Sequence, residues 1–210
     1  MIYYAITDRS LAKGGDLLLQ ASGLIRAGVD WLQVREKDLP DRTLVAALKM
    51  LAPEARRFGV RLLVNGRLDL ALASGASGIH LPSGGIPTAR ARALLPRPFL
   101  ILRSCHREEE VLRAAEQGAD AVTLGPVFAT PSKAPFGPPL GLDAFRSTCA
   151  RSPIPILGLG GIGAGNLAEV VAAGAAGVAA IRLFCGMANP MKDIPALKAA
   201  LDAGCRKPGA

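Results

Sequence analysis

Short apolar segments recur along the chain, and longer stretches with a different pattern separate them. Each short segment is almost entirely apolar, which is typical of parallel strands that are covered on both faces. The eight predicted strands are residues 3–7, 31–34, 62–64, 78–81, 99–103, 121–124, 154–159 and 178–181.

The intervening stretches carry apolar residues at positions i, i+3, i+4 and i+7, which predicts amphipathic helices. The clearest of these helices are residues 16–27, 41–58, 108–117 and 164–173. A last helix over residues 196–203 is predicted beside Pro190 and Pro195, because proline is favoured where a helix starts.

A glycine follows a helical stretch and precedes a buried strand at four places, namely Gly28, Gly75, Gly118 and Gly174. Glycine ends helices because it adopts the left-handed conformation without strain. The recurrence predicts eight βα units in a single domain over residues 1–210, which is a (β/α)8 TIM barrel of short length. A doubly wound open sheet is the competing fold, but it would leave two predicted strands unused.

Composition narrows the class of protein. Half of the residues are hydrophobic and 20% are charged, which argues against a disordered chain. The chain contains no apolar run long enough to span a membrane and no visible secretory signal, so we expect a cytoplasmic protein without membrane partners. The four cysteines lie tens of residues apart without zinc-ligand spacing, and we expect reduced thiols.

The formal net charge of +8 points to anionic partners. The basic residues are scattered, and aromatic residues make up only 4% of the chain, which argues against nucleic acid as the partner. Small anionic molecules suit this pattern better.

The polar residues that follow each strand of a (β/α)8 barrel line one mouth, where active sites of this fold lie. Here they are mainly cations, small hydroxyls and glycines. The glycine-rich turn at residues 158–163 follows the seventh strand, and Arg182 follows the eighth. Because such barrels often bind phosphate at the ends of these two strands, we expect a phosphate there.

Five motifs now identify a resemblance. They are Ala-Ile-Thr-Asp at residues 5–8, Gln-Val-Arg-Glu-Lys at 33–37, Asn-Gly-Arg-Leu-Asp at 65–69, Gly-Pro-Val-Phe-Ala-Thr-Pro-Ser-Lys at 125–133 and Gly-Leu-Gly-Gly-Ile at 158–162. In this order, over nearly the whole chain, they resemble the superfamily of thiamine-phosphate synthase and TenI-type thiazole tautomerase. The resemblance implies a (β/α)8 barrel that acts in thiamine biosynthesis on phosphorylated thiazole or pyrimidine ligands.

The two branches differ in their use of metal. The resemblance implies that a synthase holds magnesium through the aspartate of an Asn-Asp-Arg motif and a second aspartate after the fourth strand. Here the first motif reads Asn65-Gly66-Arg67, and no aspartate occurs between Asp69 and Asp120. Magnesium prefers oxygen ligands, so we expect no metal site and no cofactor unless the synthase reaction holds. These strings resemble the TenI branch instead.

The proton carrier of the TenI branch is missing, because Pro126 stands where those tautomerases carry a histidine. His106, in the family's Ser-x-His string, is the first replacement candidate, and Cys105 and Glu36 remain alternatives. His80, inside the fourth strand, is a weaker candidate than His106.

The resemblance also assigns ligand-binding roles. The substrate-binding residues would be Arg35, Lys37, Asn65, Ser104, Thr130, Ser132 and Lys133, and the phosphate-binding residues would be Gly160, Gly161, Ile181 and Arg182.

Three functions stay open at this point. A metal-independent thiazole tautomerase is the leading hypothesis. The alternatives are a magnesium-dependent thiamine-phosphate synthase that recruits Asp8, Asp38 or Asp69, and a catalytically silent barrel that regulates through a partner. A homodimer stays open as the assembly.

Overall fold

The eight strands form a closed barrel in which every strand pairs in parallel with its neighbours in the chain, and β1 pairs with β8. The structure is a computed structural model that describes residues 1–130 and 138–205, with side chains up to Leu201. Helices follow the strands around the outside, so the predicted (β/α)8 barrel is confirmed. No helix in this described part is long and apolar enough to cross a membrane.

The strands lie within two residues of their predicted bounds. They are β1 Ile2–Ile6, β2 Trp31–Val34, β3 Arg61–Asn65, β4 Gly78–Leu81, β5 Leu100–Cys105, β6 Ala121–Leu124, β7 Ile156–Leu159 and β8 Gly177–Ala180. The difference that matters is at β3 and β5, which continue one and two residues beyond their predicted ends. Asn65, Ser104 and Cys105 therefore belong to strands and are held by the barrel ladder.

The helices include four that periodicity did not predict. The helices are α1 Leu17–Arg26, α2 Asp41–Arg57, α3 Leu68–Ser74, α4 Thr88–Leu94, α5 Glu108–Glu116, α6 Leu142–Arg151, α7 Leu167–Ala172, α8 Arg182–Cys185 and α9 Pro190–Cys205. The missed helices are α3, α4, α6 and α8, which have seven, seven, ten and four residues respectively. The predicted start of the last helix was wrong, because α9 begins at Pro190 and carries Pro195 inside it.

Local signals explain where several helices begin and end. The Asp16 side chain accepts a hydrogen bond from the backbone N–H of Leu19 at 3.0 Å and caps α1. The four glycines of the repeat, from Gly28 to Gly174, all have positive φ, which confirms the left-handed helix ends.

Two apolar layers hold the barrel. The outer layer lies between strands and helices and includes the fully buried Leu48, Phe145 and Phe184. The inner layer fills the barrel with Tyr4, Ile6, Leu63, Leu102, Ala121, Leu157 and Ala179. The buried polar side chains Gln33, His80 and Thr123 lie on strands of the barrel, opposite members of this inner layer in the strand register.

Helix α7 packs against β7 at Gly158. A Cβ atom at this position would lie 2.6 Å from Val170 Cγ1 and 3.2 Å from Ile162 Cδ1. Because α7 approaches β7 this closely, the glycine-rich turn between them is packed against the barrel.

We expect Gly158→Ala to lower the free energy of unfolding by roughly 1–3 kcal/mol, because the new methyl group overpacks the β7–α7 contact. Gly163→Ala is the matched control, since a Cβ there meets no atom within 4 Å. Urea unfolding of both variants tests the prediction, and an equal effect of the two substitutions would contradict it.

Candidate active site

The carboxyl ends of the strands bring the predicted site residues to one mouth. Asn65 pairs with His80 across β3 and β4, and Ser104 pairs with Thr123 across β5 and β6. Asn65 and Ser104 are half-buried, so they lie between the apolar barrel interior and the solvent.

A buried hydrogen-bond network lies directly below the mouth, with His80 at its centre. The Tyr4 hydroxyl lies 2.9 Å from His80 Nδ1, and the Gln33 amide nitrogen donates to that hydroxyl at 2.6 Å and also contacts Nδ1. On the other side of the ring, His80 Nε2 lies 2.8 Å from Ser104 Oγ and 3.4 Å from Thr123 Oγ1. The network links five strands.

The network fixes the direction of the Ser104 hydrogen bond. With the amide nitrogen of Gln33 beside it, His80 Nδ1 acts as an acceptor, so the neutral ring carries its proton on Nε2. Nε2 then donates to Ser104 Oγ, which leaves the Ser104 hydroxyl proton available to a ligand in the mouth. Sequence analysis missed Tyr4 and Gln33, although a glutamine inside an otherwise apolar strand was a visible signal.

Burial inside the barrel lowers the pKa of His80 from 6.5 to about 3, and the positive charges of Arg35 and Arg103 act in the same direction. His80 is therefore neutral near pH 7. Arg35 is half-buried, while Lys37, two residues on, is exposed.

A clamp of charged residues holds the start of the β2–α2 loop. The Arg9 guanidinium forms a bidentate pair with Asp38, with both distances 2.6 Å, and donates to Glu36 Oε2 at 3.3 Å. Glu36 also accepts from the Thr7 hydroxyl at 2.7 Å, and Thr7 Oγ1 accepts from the Arg35 N–H at 3.0 Å. The hydrogen bond from Arg9 holds the pKa of Asp38 below its usual range.

Within this clamp, the hydrogen bonds of the Glu36 carboxylate differ from those expected of a proton carrier. Its carboxylate is buried and already accepts from Thr7 and Arg9. Arg9 was missed by sequence analysis, because its partners lie 27 and 29 residues away.

His106 lies at the rim, where its ring and its backbone are both held. Nδ1 donates to the Gly125 carbonyl at 2.5 Å, and the backbone N–H donates to Glu110 Oε2 at 2.7 Å. With the proton on Nδ1, Nε2 of the neutral ring is the basic nitrogen.

Cys105 faces away from the mouth into the outer core and is 1% exposed. Burial raises the pKa of its thiol to about 12, and the charge of Glu110 acts in the same direction. The thiol is therefore protonated near neutral pH.

The turn after β7 requires glycine at two positions. Gly160 and Gly161 have φ of 97° and 68°, and a Cβ would lie 2.6 Å from Pro126 Cβ and 2.7 Å from Phe128 Cβ respectively. Neither N–H donates to a backbone carbonyl of the described residues, so both are available to an anion.

The other predicted ligand-binding residues have different exposures. Ile181 is half-buried and precedes α8, while Arg182 is exposed at the first position of that helix. Thr130 is half-buried at the end of the described segment, and Ser132 and Lys133 lie outside the described residues.

The acidic residues near the mouth are already paired. Asp38 binds Arg9, and Asp69 binds Arg67 at 2.7 Å together with Asp41. Asp8 accepts from the Ser10 hydroxyl at 2.6 Å. In residues 1–130 and 138–205 no group of three histidine, cysteine, aspartate or glutamate side chains could hold a metal ion. These residues do not fit a magnesium site.

When the pH is lowered, we expect the free energy of unfolding to fall more steeply in the wild type than in His80→Gln. Below pH 6.5 the unfolded chain protonates His80, whereas the folded chain does not until about pH 3. The stabilisation is present above pH 6.5 and is lost as the pH falls toward 3, by up to about 1.4 kcal/mol per pH unit.

Urea unfolding at pH 7 and pH 4.5 measures this difference. Thr123→Val is the control, because it removes a network hydroxyl without removing a titrating group and should keep the wild-type pH dependence. Equal pH dependence in the wild type and His80→Gln would disprove the prediction.

The chain is similar to known proteins over nearly its whole length. A protein of Geobacter sulfurreducens, provisionally named as a thiamine-phosphate synthase, is 47% identical over 94% of this chain and 93% of its own length. The thiamine-phosphate synthase of Roseiflexus sp. is 38% identical over 95% of this chain and 85% of its own length.

Among solved structures, the thiamine phosphate pyrophosphorylase of Pyrococcus furiosus is similar with a TM-score of 0.86 and 29% identity, over 95% of both chains. The family model described as thiamine monophosphate synthase matches residues 3–184. The resemblance inferred from the five motifs is thereby confirmed at the level of the superfamily. The chain belongs to the thiamine monophosphate synthase family, which acts in thiamine biosynthesis.

Proposed function

We propose that this chain catalyses the thiamine-phosphate synthase reaction. In this reaction the thiazole nitrogen forms a bond to the methylene carbon of a pyrimidine diphosphate, and pyrophosphate leaves. The observation that carries the proposal is the near full-length similarity to relatives named for this activity. It reverses the order of the hypotheses from sequence analysis, in which the tautomerase came first.

The charges at the mouth support this chemistry. Pyrophosphate gains negative charge as it leaves, and cations that are fixed before the reaction stabilise that charge best. The Thr7–Glu36 contacts hold the backbone of Arg35, and the Arg9–Asp38 pair closes the loop beyond Lys37. We assign Arg35 and Lys37 to the diphosphate.

The remaining mouth residues suit the second substrate. The available N–H groups of Gly160 and Gly161 offer a place for the thiazole phosphate, with Ile181 and Arg182 beside it. The half-buried hydroxyl of Ser104 and amide of Asn65, at the ends of β5 and β3, would orient the heterocycles.

The magnesium ligands that the resemblance implies for the synthase branch are not matched among the described residues. The positions of the two expected aspartates are taken by Gly66 and the Ser83-Gly84-Gly85 segment, and Gly66 has a φ of 69° that favours glycine. No step of the proposed reaction is therefore assigned to a metal, and the dependence on magnesium stays a prediction to be measured.

A thiazole tautomerase is the second candidate, and two observations favour it. The missing aspartates are those that the synthase branch would need. His106 Nδ1 also donates to Gly125, so Nε2 is the nitrogen that accepts a proton in the neutral form of the ring. A base of this kind could move the proton of the thiazole carboxylate phosphate.

We expect the purified protein to release pyrophosphate when the pyrimidine diphosphate and thiazole phosphate are mixed with magnesium. Arg35→Gln should lower the turnover at least about 100-fold, because a fixed charge that acts on the leaving group is lost. Arg26→Gln is the matched control, since Arg26 is an exposed arginine at the end of α1 that pairs with Glu54. A coupled pyrophosphate assay gives the readout.

The absence of pyrophosphate release in the wild type would overturn the synthase proposal. A change in the ultraviolet absorption of the thiazole carboxylate phosphate in EDTA would then identify the tautomerase. If neither reaction occurs while thiazole phosphate still binds, the barrel is a silent binder.

The tautomerase alternative makes its own prediction about His106. If the wild type shows tautomerase turnover, His106→Gln should lower it at least about 100-fold with little change in ligand affinity, because proton transfer by a positioned group is worth that much. Cys105→Ala is the control, since the buried thiol faces away from the mouth. Full tautomerase turnover in His106→Gln would remove His106 from this role.

A further inference from the structure

A second cavity lies outside the barrel, between the β4–α4 loop, β5 and α5. Its volume is about 150 Å³, and its polar lining consists of Ser83, Thr88, Arg103, Ser104, Glu110, Arg113 and Gln117, with Cys105 at its wall. A cavity of this size holds several waters or one ion of phosphate size. The cavity adjoins the mouth at Ser104, but Arg35, Lys37, Gly160 and Gly161 do not line it.

The hydroxyl of Thr88 is the first group that indicates ligand binding in this cavity. The residue is only 1% exposed, and its hydroxyl makes no hydrogen bond to another described residue. No side-chain oxygen or nitrogen of the described residues is both buried and unpaired, so the little surface that the hydroxyl exposes is open to the cavity. The hydroxyl lines the cavity and can donate to a molecule inside it.

Two guanidinium groups give the cavity its charge. Arg103 is held in place by donating to the carbonyls of Ile86 and Ser83, both at 2.6 Å, which leaves further N–H groups on the same side chain. Arg113 forms no ion pair within residues 1–130 and 138–205, although it lines the same space.

The carboxylate in the cavity does not cancel these charges. One oxygen of Glu110 already accepts the His106 N–H at 2.7 Å, and its other oxygen lies 3.8 Å from Arg107. The two arginines, the Thr88 hydroxyl and the Gln117 amide therefore form a donor-rich lining with a net positive charge.

We propose that this cavity binds a small oxyanion, such as phosphate or the carboxylate group of a small metabolite, at a site distinct from the phosphate turn of Gly160 and Gly161. Donors that point at a charged oxygen from several directions are the arrangement by which proteins bind such ions. The proposal does not depend on which reaction occurs at the mouth, since no residue of the assigned phosphate turn takes part.

A titration with inorganic phosphate, followed by amide resonances in NMR, tests the proposal and separates the two regions. We expect amides near Thr88 and Arg113 to shift with their own binding curve, distinct from the curve of Gly160 and Gly161. A millimolar dissociation constant is within reach of this method. Sodium chloride at equal ionic strength is the reference for screening effects.

Two variants sharpen the test. Thr88→Val keeps the shape of the side chain, and Arg113→Gln removes the unpaired charge. Each should weaken phosphate binding at the cavity roughly tenfold, since hydrogen bonds to charged groups are worth about one order of magnitude or more. Neither should change the curve of Gly160 and Gly161 or the midpoint of thermal unfolding. Arg26→Gln serves as the charge control.

Three results would overturn the proposal. The cavity amides could fail to shift, could shift equally in sodium chloride, or could keep the wild-type curve in both Thr88→Val and Arg113→Gln. Any of these would show that the cavity holds water only.

Discussion

A closed barrel must fill its own interior, and in this protein a buried, hydrogen-bonded histidine fills part of it beside the apolar side chains. His80 receives hydrogen bonds from the β1 and β2 side and faces hydroxyls of β5 and β6 on the other. In a medium without water each of these groups must find its partner inside the protein. The network therefore ties the strands together and forms the polar floor of the mouth.

The buried network and the residues at the edge of the mouth are connected. Ser104 belongs to both, because its oxygen accepts from His80 while its proton faces the mouth. Above it, Arg35 is fixed at its backbone by Thr7, which in turn is held by the buried Glu36. Such contacts place charged groups before a ligand arrives, and this preorganisation is the main source of electrostatic stabilisation in enzymes.

The sequence predicted the parts of the fold that repeat locally. Continuous apolar runs identified all eight strands, and Gly28 and its three equivalents marked helix ends with positive φ. Helices α3, α4, α6 and α8 were missed, and α8 is a single turn, which cannot establish a period. Arg9 and Gln33 were missed for another reason. Their partners lie 27 to 47 residues away, and only the closed barrel brings those strand ends together.

The family and the charges at the mouth together locate the unusual feature of this chain. Its relatives are named for a reaction that expels pyrophosphate, yet the aspartates expected to hold magnesium are replaced by glycine and serine. Under the proposed reaction, a diphosphate would meet Arg35 and Lys37 instead of a metal with its carboxylates. A metal ion brings its charge only when it binds, whereas the backbone of Arg35 is already held by Thr7 in the folded chain. The proposed charge stabilisation would then depend on the Arg9–Glu36–Asp38 clamp beside Arg35.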